Sequence, residues 1–308
     1  MIRSLSTPSV SKQFKFFLKN SFRKGPYFAY SYLKARSSLV YRWRNPFAQL
    51  SPQAVPLHIL VGDEQFKMSL WMLISFFQAT RKNWKVYLYD DGTLKSDAKD
   101  RLRRLGILAE VIDKKLALTQ AERHLAEFPI CMQVFRNNIL ATKFFGPLMF
   151  DDSQKYLVLD SDLLFFREPL EILNWAHSDA DELYFNKDVK DWSQVDQATC
   201  LERLGFELWP KVNSGLCCIS RSAIDLHDTE RFLSDNGLYQ KSDPWMLEQT
   251  LFALHASKNN LGGLLPDTYE ISLGADSSAH CIARHYVGKV RDRFYTEGCK
   301  RVQREVSL

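Results

Sequence analysis

From residue 57 onward, short apolar runs recur, each closed by a small polar cluster. Leu57-His58-Ile59-Leu60-Val61 reads as a buried strand that ends at Gly62-Asp63, and Phe66–Thr80 reads as a helix. Residues 85–89 form a second strand, closing on Asp90-Asp91-Gly92. Ser96 is a candidate cap for a basic helix through Leu105, and residues 108–112 form a third strand. Residues 136–145 predict a helix that Gly146-Pro147 should stop. Lys155–Leu159 reads as a central strand running into Asp160-Ser161-Asp162. A second stretch of the same kind holds residues 212–219, and residues 245–257 predict a helix. Strands alternating with helices imply right-handed crossovers and a mainly parallel central sheet, an α/β class.

Charge divides the chain. Ten of the 41 basic residues and none of the 36 acidic ones fall within residues 1–62, which leaves 31 bases against 36 acids in the remainder. The expected organisation is a basic, aromatic N-terminal arm over residues 1–52, followed by one domain over residues 53–308. Gly25-Pro26 divides the arm into two short helical stretches, with Phe14, Phe16, Phe17 and Phe22 in the first. Basic residues mixed with large aromatics suit a helix lying on an anionic membrane surface. A helix packed on the domain, or a loose tail, is the alternative. No recognised nucleic-acid module follows the arm, so nucleic acid is not an expected partner.

No segment is apolar for long enough to span a bilayer, and the N-terminus lacks the continuous apolar run of a cleaved signal peptide. The six cysteines are scattered without a CxxC pair, which fits buried free thiols in a reducing compartment. The expected location is the cytoplasm, peripheral to the inner face of a membrane if the arm binds lipid.

The sharpest chemical feature is Tyr156-Leu157-Val158-Leu159-Asp160-Ser161-Asp162. An apolar strand delivers two carboxylates to its carboxyl end, where open α/β sheets bind ligands. Residues two apart on a strand share a face. Two close carboxylates repel unless a positive charge sits between them, and a hard divalent cation fills that need. Such an ion can also bind a diphosphate and stabilise its charge as it departs. Leu163-Leu164-Phe165-Phe166 continues the apolar run, so both acids are framed by core rather than by a polar loop. A turn with a helix cap is the plain alternative.

The stretch from Lys155 to Pro169 resembles the D-x-D region of GT-A glycosyltransferases, especially family 8, the glycogenin and bacterial galactosyltransferase type. Three further pieces occur in that family's order. Val61-Gly62-Asp63 resembles the first strand end that holds the nucleotide. Asn213-Ser214-Gly215 resembles the turn near the donor sugar. His285-Tyr286-Val287-Gly288 resembles the late H-x-x-G, whose His is a third metal ligand and whose Gly lets backbone approach the phosphates. The resemblance spans about residues 57–291. It implies a GT-A, Rossmann-like fold and a metal-dependent transferase with a nucleotide-sugar donor, UDP first, acting with retention on an unknown acceptor. Mn²⁺ or Mg²⁺ would sit on Asp160, Asp162 and His285.

The chain departs from the family at Lys289 and Arg291, which are followed by Asp292-Arg293 instead of Pro-Trp, and at Glu248-Gln249, where the family has D-Q. Arg291 keeps a positive charge at the family's Lys position, beside a diphosphate. Glu248 and Gln249 are candidates for orienting the acceptor or stabilising an oxocarbenium-like state, or they are a helix face. Lys143 is a candidate for phosphate or donor-sugar contact, or covers a helix face. Ser161 lies between the two metal candidates. Trp192, Trp209 and Trp245 are candidates for stacking on sugars or for core packing.

Two rivals remain at this level. One is a catalytically silent sugar-nucleotide-binding protein of the same fold. The other is a haloacid-dehalogenase-type phosphatase, suggested by Tyr89-Asp90-Asp91-Gly92-Thr93, where Tyr89 stands at the position that needs a nucleophilic Asp.

Overall fold

The computed structural model describes residue 25 and residues 40–305, apart from residues 48, 51–54, 239–242 and 275. The two helices expected in the arm lie outside the described residues. Residues 40–47 belong to the body: Val40 and Trp43 are buried, and the Trp43 ring packs on Phe77 at 6.5 Å. Asn45 ties this segment down by donating its backbone N–H to Leu105 O at 2.8 Å and its side-chain amide to Asn83 Oδ1 at 2.9 Å.

Among the described residues, ten strands form two sheets. β1 (Leu57–Val61), β2 (Val86–Asp90), β3 (Ala109–Ile112), β4 (Lys155–Leu159), β6 (Leu183–Lys187), β7 (Val212–Ser220) and β8 (Gly262–Leu264) make a sheet of order β3-β2-β1-β4-β7-β6-β8. Its pairings are parallel except where β7 runs antiparallel to β4 and β6. β5 (Leu163–Phe165), β10 (Ala283–His285) and β9 (Tyr269–Glu270) make a small second sheet in that order.

β4 and β7 are buried along their whole length, which explains the apolar stretches Tyr156–Leu159 and Leu216–Ile219 within them. Alternation along β4 sends Leu157 and Leu159 into one core with the helix Phe66–Thr80. Tyr156 and Val158 point into the other, against Phe144, Phe145 and Phe252. The central strands are therefore covered on both faces, and the chemistry they expose lies at their ends.

The mainly parallel α/β sheet agrees with the sequence pattern; several boundaries do not. The single helix expected over residues 136–145 is three pieces: Pro129–Asn137, a 3-10 turn Ile139–Ala141, and Thr142–Phe150. Asn138 makes the break, its side chain accepting from Leu140 N at 3.0 Å. Gly146-Pro147 does not stop the last piece. Arg221 donates to the carbonyls of Pro147 and Leu148 at 3.2 and 2.8 Å, satisfying groups at the helix end. Ser96 is not the cap of the basic helix, which runs Ala98–Arg104 behind Asp97. Among the described residues, no helix is long and apolar enough to cross a membrane. All six cysteines are free and buried.

Candidate active site

Asp160 is the first residue past β4, and Asp162 the last before β5. The two acids therefore flank a turn between two sheets, with Leu163 N bonded to Asp160 O at 3.4 Å, and do not share the face of one strand as expected. The consequence is a division of labour. The Asp160 side chain is 30% exposed and that of Asp162 only 6%.

β5 pairs antiparallel with β10 so that Leu163 lies opposite His285, and Tyr286 N donates to Asp162 O at 2.9 Å. This pairing carries His285 across 123 residues of sequence to Asp162. Its Nε2 lies 2.9 Å from Asp162 Oδ1 and 3.6 Å from Asp160 Oδ2. One donor atom each from Asp160, Asp162 and His285 falls within 4.8 Å of the others.

The imidazole is held from behind. Its Nδ1 lies 3.1 Å from Asn213 Oδ1, which also accepts from Gly215 N at 2.9 Å. The Asn213 amide nitrogen donates to Asp188 Oδ2 at 2.7 Å, which fixes the amide orientation. Asn213 Oδ1 can only accept, so Nδ1 carries a proton; a second proton on Nε2 makes the bond to Asp162, and its loss would leave an Nε2 lone pair facing the two acids. Gly215 is required by contact: a Cβ there would lie 2.1 Å from His285 Cε1.

Positive groups ring the acids. Lys143 Nζ reaches Asp160 Oδ1 at 2.7 Å, Glu248 Oε1 at 3.1 Å and Ser214 Oγ at 3.4 Å. Burial works against its charge, but Asp160 and Glu248 outweigh burial and raise its pKa, so it stays an ammonium. Arg291 places Nε and Nη2 on Asp162 Oδ2, at 3.0 and 2.7 Å. Burial would raise the Asp162 pKa, yet His285 and Arg291 overcome it and hold the carboxyl below its usual range. Burial likewise disfavours charge on His285, and the pull of Asp162 and Asp160 raises its pKa despite that.

These groups line a cleft of about 490 Å³ over the carboxyl ends of β1 and β4. Val61, Gly62, Lys143, Asp160, Ser161, Asp162, Asn213, Ser214, Glu248, Gln249, His285, Gly288 and Arg291 all contribute to its wall. Gly288 sits at φ +45°, in the left-handed region that favours glycine, and turns the chain from β10 toward Arg291. A larger hollow of about 720 Å³ lies between residues 276–279 and the C-terminal helix. It contains none of these residues; the two carboxylates and the imidazole that could hold an ion converge in the smaller cleft, which is the candidate site.

No protein-family model matches the chain, and no curated protein matches it in sequence. Solved structures do match in shape. The galactosyltransferase LgtC, in a complex with donor and acceptor sugar analogues, is 17% identical, with a TM-score of 0.51 over 82% of this chain and 95% of that one. An active-site variant of LgtC gives 16% identity and a TM-score of 0.50 over the same shares. The bifunctional glycosyltransferase WbbM gives 13% identity and a TM-score of 0.53, covering 84% of this chain and 50% of that one.

This chain has the GT-A glycosyltransferase fold. The likeness agrees with the family 8 resemblance read from the motifs. Within the GT-A fold, two carboxylates and an imidazole on one side of a cleft form a donor set that could hold a hard or borderline divalent ion. The Asn213–Asp188 support behind the imidazole completes that fit.

Three candidates are placed differently from the others. The Asp63 carboxylate turns to Lys95 at 2.8 Å and is not in the cleft wall, where Asp91 takes its place. Gly215 spends its N–H on Asn213, so it serves the His285 ring and does not offer that group to a sugar. Lys289 lies on the 3-10 turn Gly288–Val290, and its side chain is outside the described residues.

Sequence reasoning missed Asp188, whose only local signal is the polar end of β6. Gln65, Ile139 and Leu140, which also line the cleft, were missed as well. The phosphatase-like motif is a pair of side-chain-capped turns: Asp90 Oδ1 accepts from Gly92 N and Leu94 N, at 2.7 and 2.9 Å. Tyr89, at the position that would need a nucleophile, is buried with its hydroxyl 2.8 Å from His58 Nδ1.

Proposed function

We propose that the chain is a metal-dependent glycosyltransferase that moves a sugar from a nucleoside-diphosphate sugar, UDP first, to an acceptor hydroxyl with retention of configuration. The observation that carries this reading is the meeting of Asp160, Asp162 and His285 within 4.8 Å at the mouth of the cleft. These three would hold Mn²⁺ or Mg²⁺. A bound divalent ion supplies Lewis-acid stabilisation of the negative charge on the departing diphosphate.

The remaining residues have work of their own. Val61, Gly62 and Asp91 form the wall beside β1, where the nucleoside would lie. Arg291 and Lys289 would offset leaving-group charge, with the Arg291 guanidinium already at the cleft. Asn213 and Ser214 line the cleft where the donor sugar would lie. Glu248 commits Oε1 to Lys143 and Ser214, while its buried Oε2 has no hydrogen-bond partner among the described residues. A sugar hydroxyl would satisfy that acceptor.

The test is release of UDP from UDP-glucose, UDP-galactose and their N-acetyl derivatives, with Mn²⁺ and with EDTA. Metal-dependent release that is lost in Asp162→Asn, with the thermal transition kept, supports the reading. Full release by Asp162→Asn, or inorganic phosphate from phosphomonoesters in its place, sinks it.

The same proposal extends to location. The basic arm, expected over residues 1–52, would hold the enzyme on the anionic cytoplasmic face of a membrane through the part that precedes Val40. Co-sedimentation with phosphatidylglycerol vesicles should fall when residues 1–39 are deleted; equal sedimentation removes the idea.

A further inference from the structure

Trp245 sits on the 3-10 turn Pro244–Met246, immediately before the helix Leu247–Asn259. The first turn of that helix carries Glu248 and Gln249 into the cleft, so Trp245 forms part of the outer rim beside them. It is 45% exposed, yet its turn is fixed. Asn138 donates to Pro244 O at 2.7 Å, and Gln194 donates to Asp243 O at 2.5 Å. Trp192 meets the indole nearly edge-on, with centroids 5.4 Å apart, and Lys190 Nζ caps Trp192 at 3.6 Å. This is a large aromatic surface held in place at the mouth of a polar cleft.

Two kinds of ligand stack on such a surface: a nucleobase, or the C–H face of a sugar ring, whose weakly positive hydrogens meet the negative face of the indole. Position separates them. The helix bearing Glu248 packs on β7, on one side of β4, while the nucleoside wall lies on β1, on the other. The metal donors stand between the two walls. A nucleotide anchored there and extended along β1 leaves Trp245 on the side from which an acceptor must enter.

We propose that Trp245 is the acceptor platform and that the acceptor is a saccharide, its pyranose ring stacked on the indole. The proposal rests on the transferase reading. No new chemistry is required: the acceptor oxygen bonds to the anomeric carbon as the bond from that carbon to the diphosphate oxygen breaks, and the diphosphate leaves with the electron pair and takes up the hydroxyl proton. Trp245 acts through positioning, by holding the ring that bears the hydroxyl.

The full-length protein with a UDP-sugar and Mn²⁺ is assayed against methyl β-D-galactopyranoside, methyl β-D-glucopyranoside, lactose, and a serine- and threonine-containing peptide. Sugar transferred to acceptor and sugar lost to water are measured together. At least one saccharide should be glycosylated. Trp245→Ala should lower the ratio of transfer to hydrolysis about tenfold, mainly through acceptor KM, and Trp245→Phe should recover most of it. Saturation-transfer NMR on the protein with UDP and Mn²⁺ should show contact to the ring C–H protons, which vanishes in Trp245→Ala. An unchanged ratio in a folded Trp245→Ala protein, or glycosylation of the peptide alone, overturns the platform while leaving the transferase intact. No UDP release from any donor, even to water, defeats the transferase reading and the platform with it.

Discussion

His285 occupies the space where a side chain on Gly215 would stand; a Cβ there would come within 2.1 Å of its Cε1 and 2.5 Å of its Nδ1. The backbone at Gly215 is not in the left-handed region, so alanine is excluded by the ring and not by φ. Gly215→Ala should push the imidazole off Asn213 and away from the two acids. The expected result is a fall of about tenfold or more in Mn²⁺ affinity, as for loss of a supporting shell, with the fold kept. Calorimetric titration of Mn²⁺ reads this directly, and unchanged affinity would show that His285 is not a ligand.

Arg291 and a divalent ion bound at the candidate site would compete for the same carboxylate. Both guanidinium donors rest on Asp162 Oδ2, and the Arg291 side chain is 52% exposed, so it is free to swing. Arg291→Gln should raise the affinity for Mn²⁺ alone by roughly three- to tenfold, about the worth of a half-exposed charged pair. The same variant should bind UDP more weakly when Mn²⁺ is present, because a phosphate partner is gone. Weaker binding of Mn²⁺ alone would mean that Arg291 supports the metal site instead of competing for it.

What the sequence revealed and what it concealed divide along contact distance. β1, β4 and β7 were legible because strands covered on both faces carry stretches such as Ile59–Val61, Tyr156–Leu159 and Leu216–Ile219 in which successive residues are apolar. Asp160 and Asp162 stood out because such a run ended on them, and His285 followed in the family's order. The turn between two sheets was not legible, since β5 and β10 have three residues each and pair across more than 100 positions. The same holds for the helix that survives Pro147, whose carbonyl partner Arg221 lies 74 residues on. Gly215 was found for the wrong reason: the motif singled it out, but the ring it accommodates comes from another sheet.

Lys143 is one buried cation shared between Asp160 and Glu248. Replacing it with methionine removes the charge from a pocket where Glu248 is 4% exposed. Leaving a buried carboxylate without its partner costs about 3–5 kcal/mol. Adding Glu248→Gln to Lys143→Met should restore a good part of that loss, because the amide carries no charge to leave stranded. Urea unfolding of the single and double variants measures the coupling. Strict additivity would show that Lys143 stabilises the fold through Asp160 alone.

His255 makes acid a direct threat to the fold. It is fully buried on the helix Leu247–Asn259, among Phe144 and Phe232, with Nε2 2.9 Å from Thr229 Oγ1. The Thr229 hydroxyl donates to Asp225 O at 2.7 Å, so it can only accept from the imidazole. Nδ1 has no hydrogen-bond partner among the described residues, and a proton placed there would be a buried charge. Burial accordingly lowers the pKa from 6.5 to about 4. Because the folded value is depressed, the unfolded chain takes up the proton first as pH falls. The stability held by neutral His255 is complete above pH 6.5 and drains away down to about pH 4, amounting to about 3 kcal/mol. His58 shifts in the same direction, so the wild-type slope alone does not isolate His255. His255→Gln does: between pH 7.5 and 4.5 its unfolding free energy should fall by about 2–3 kcal/mol less than that of the wild type. Parallel pH profiles for the two proteins would mean that His255 is accommodated in its charged form.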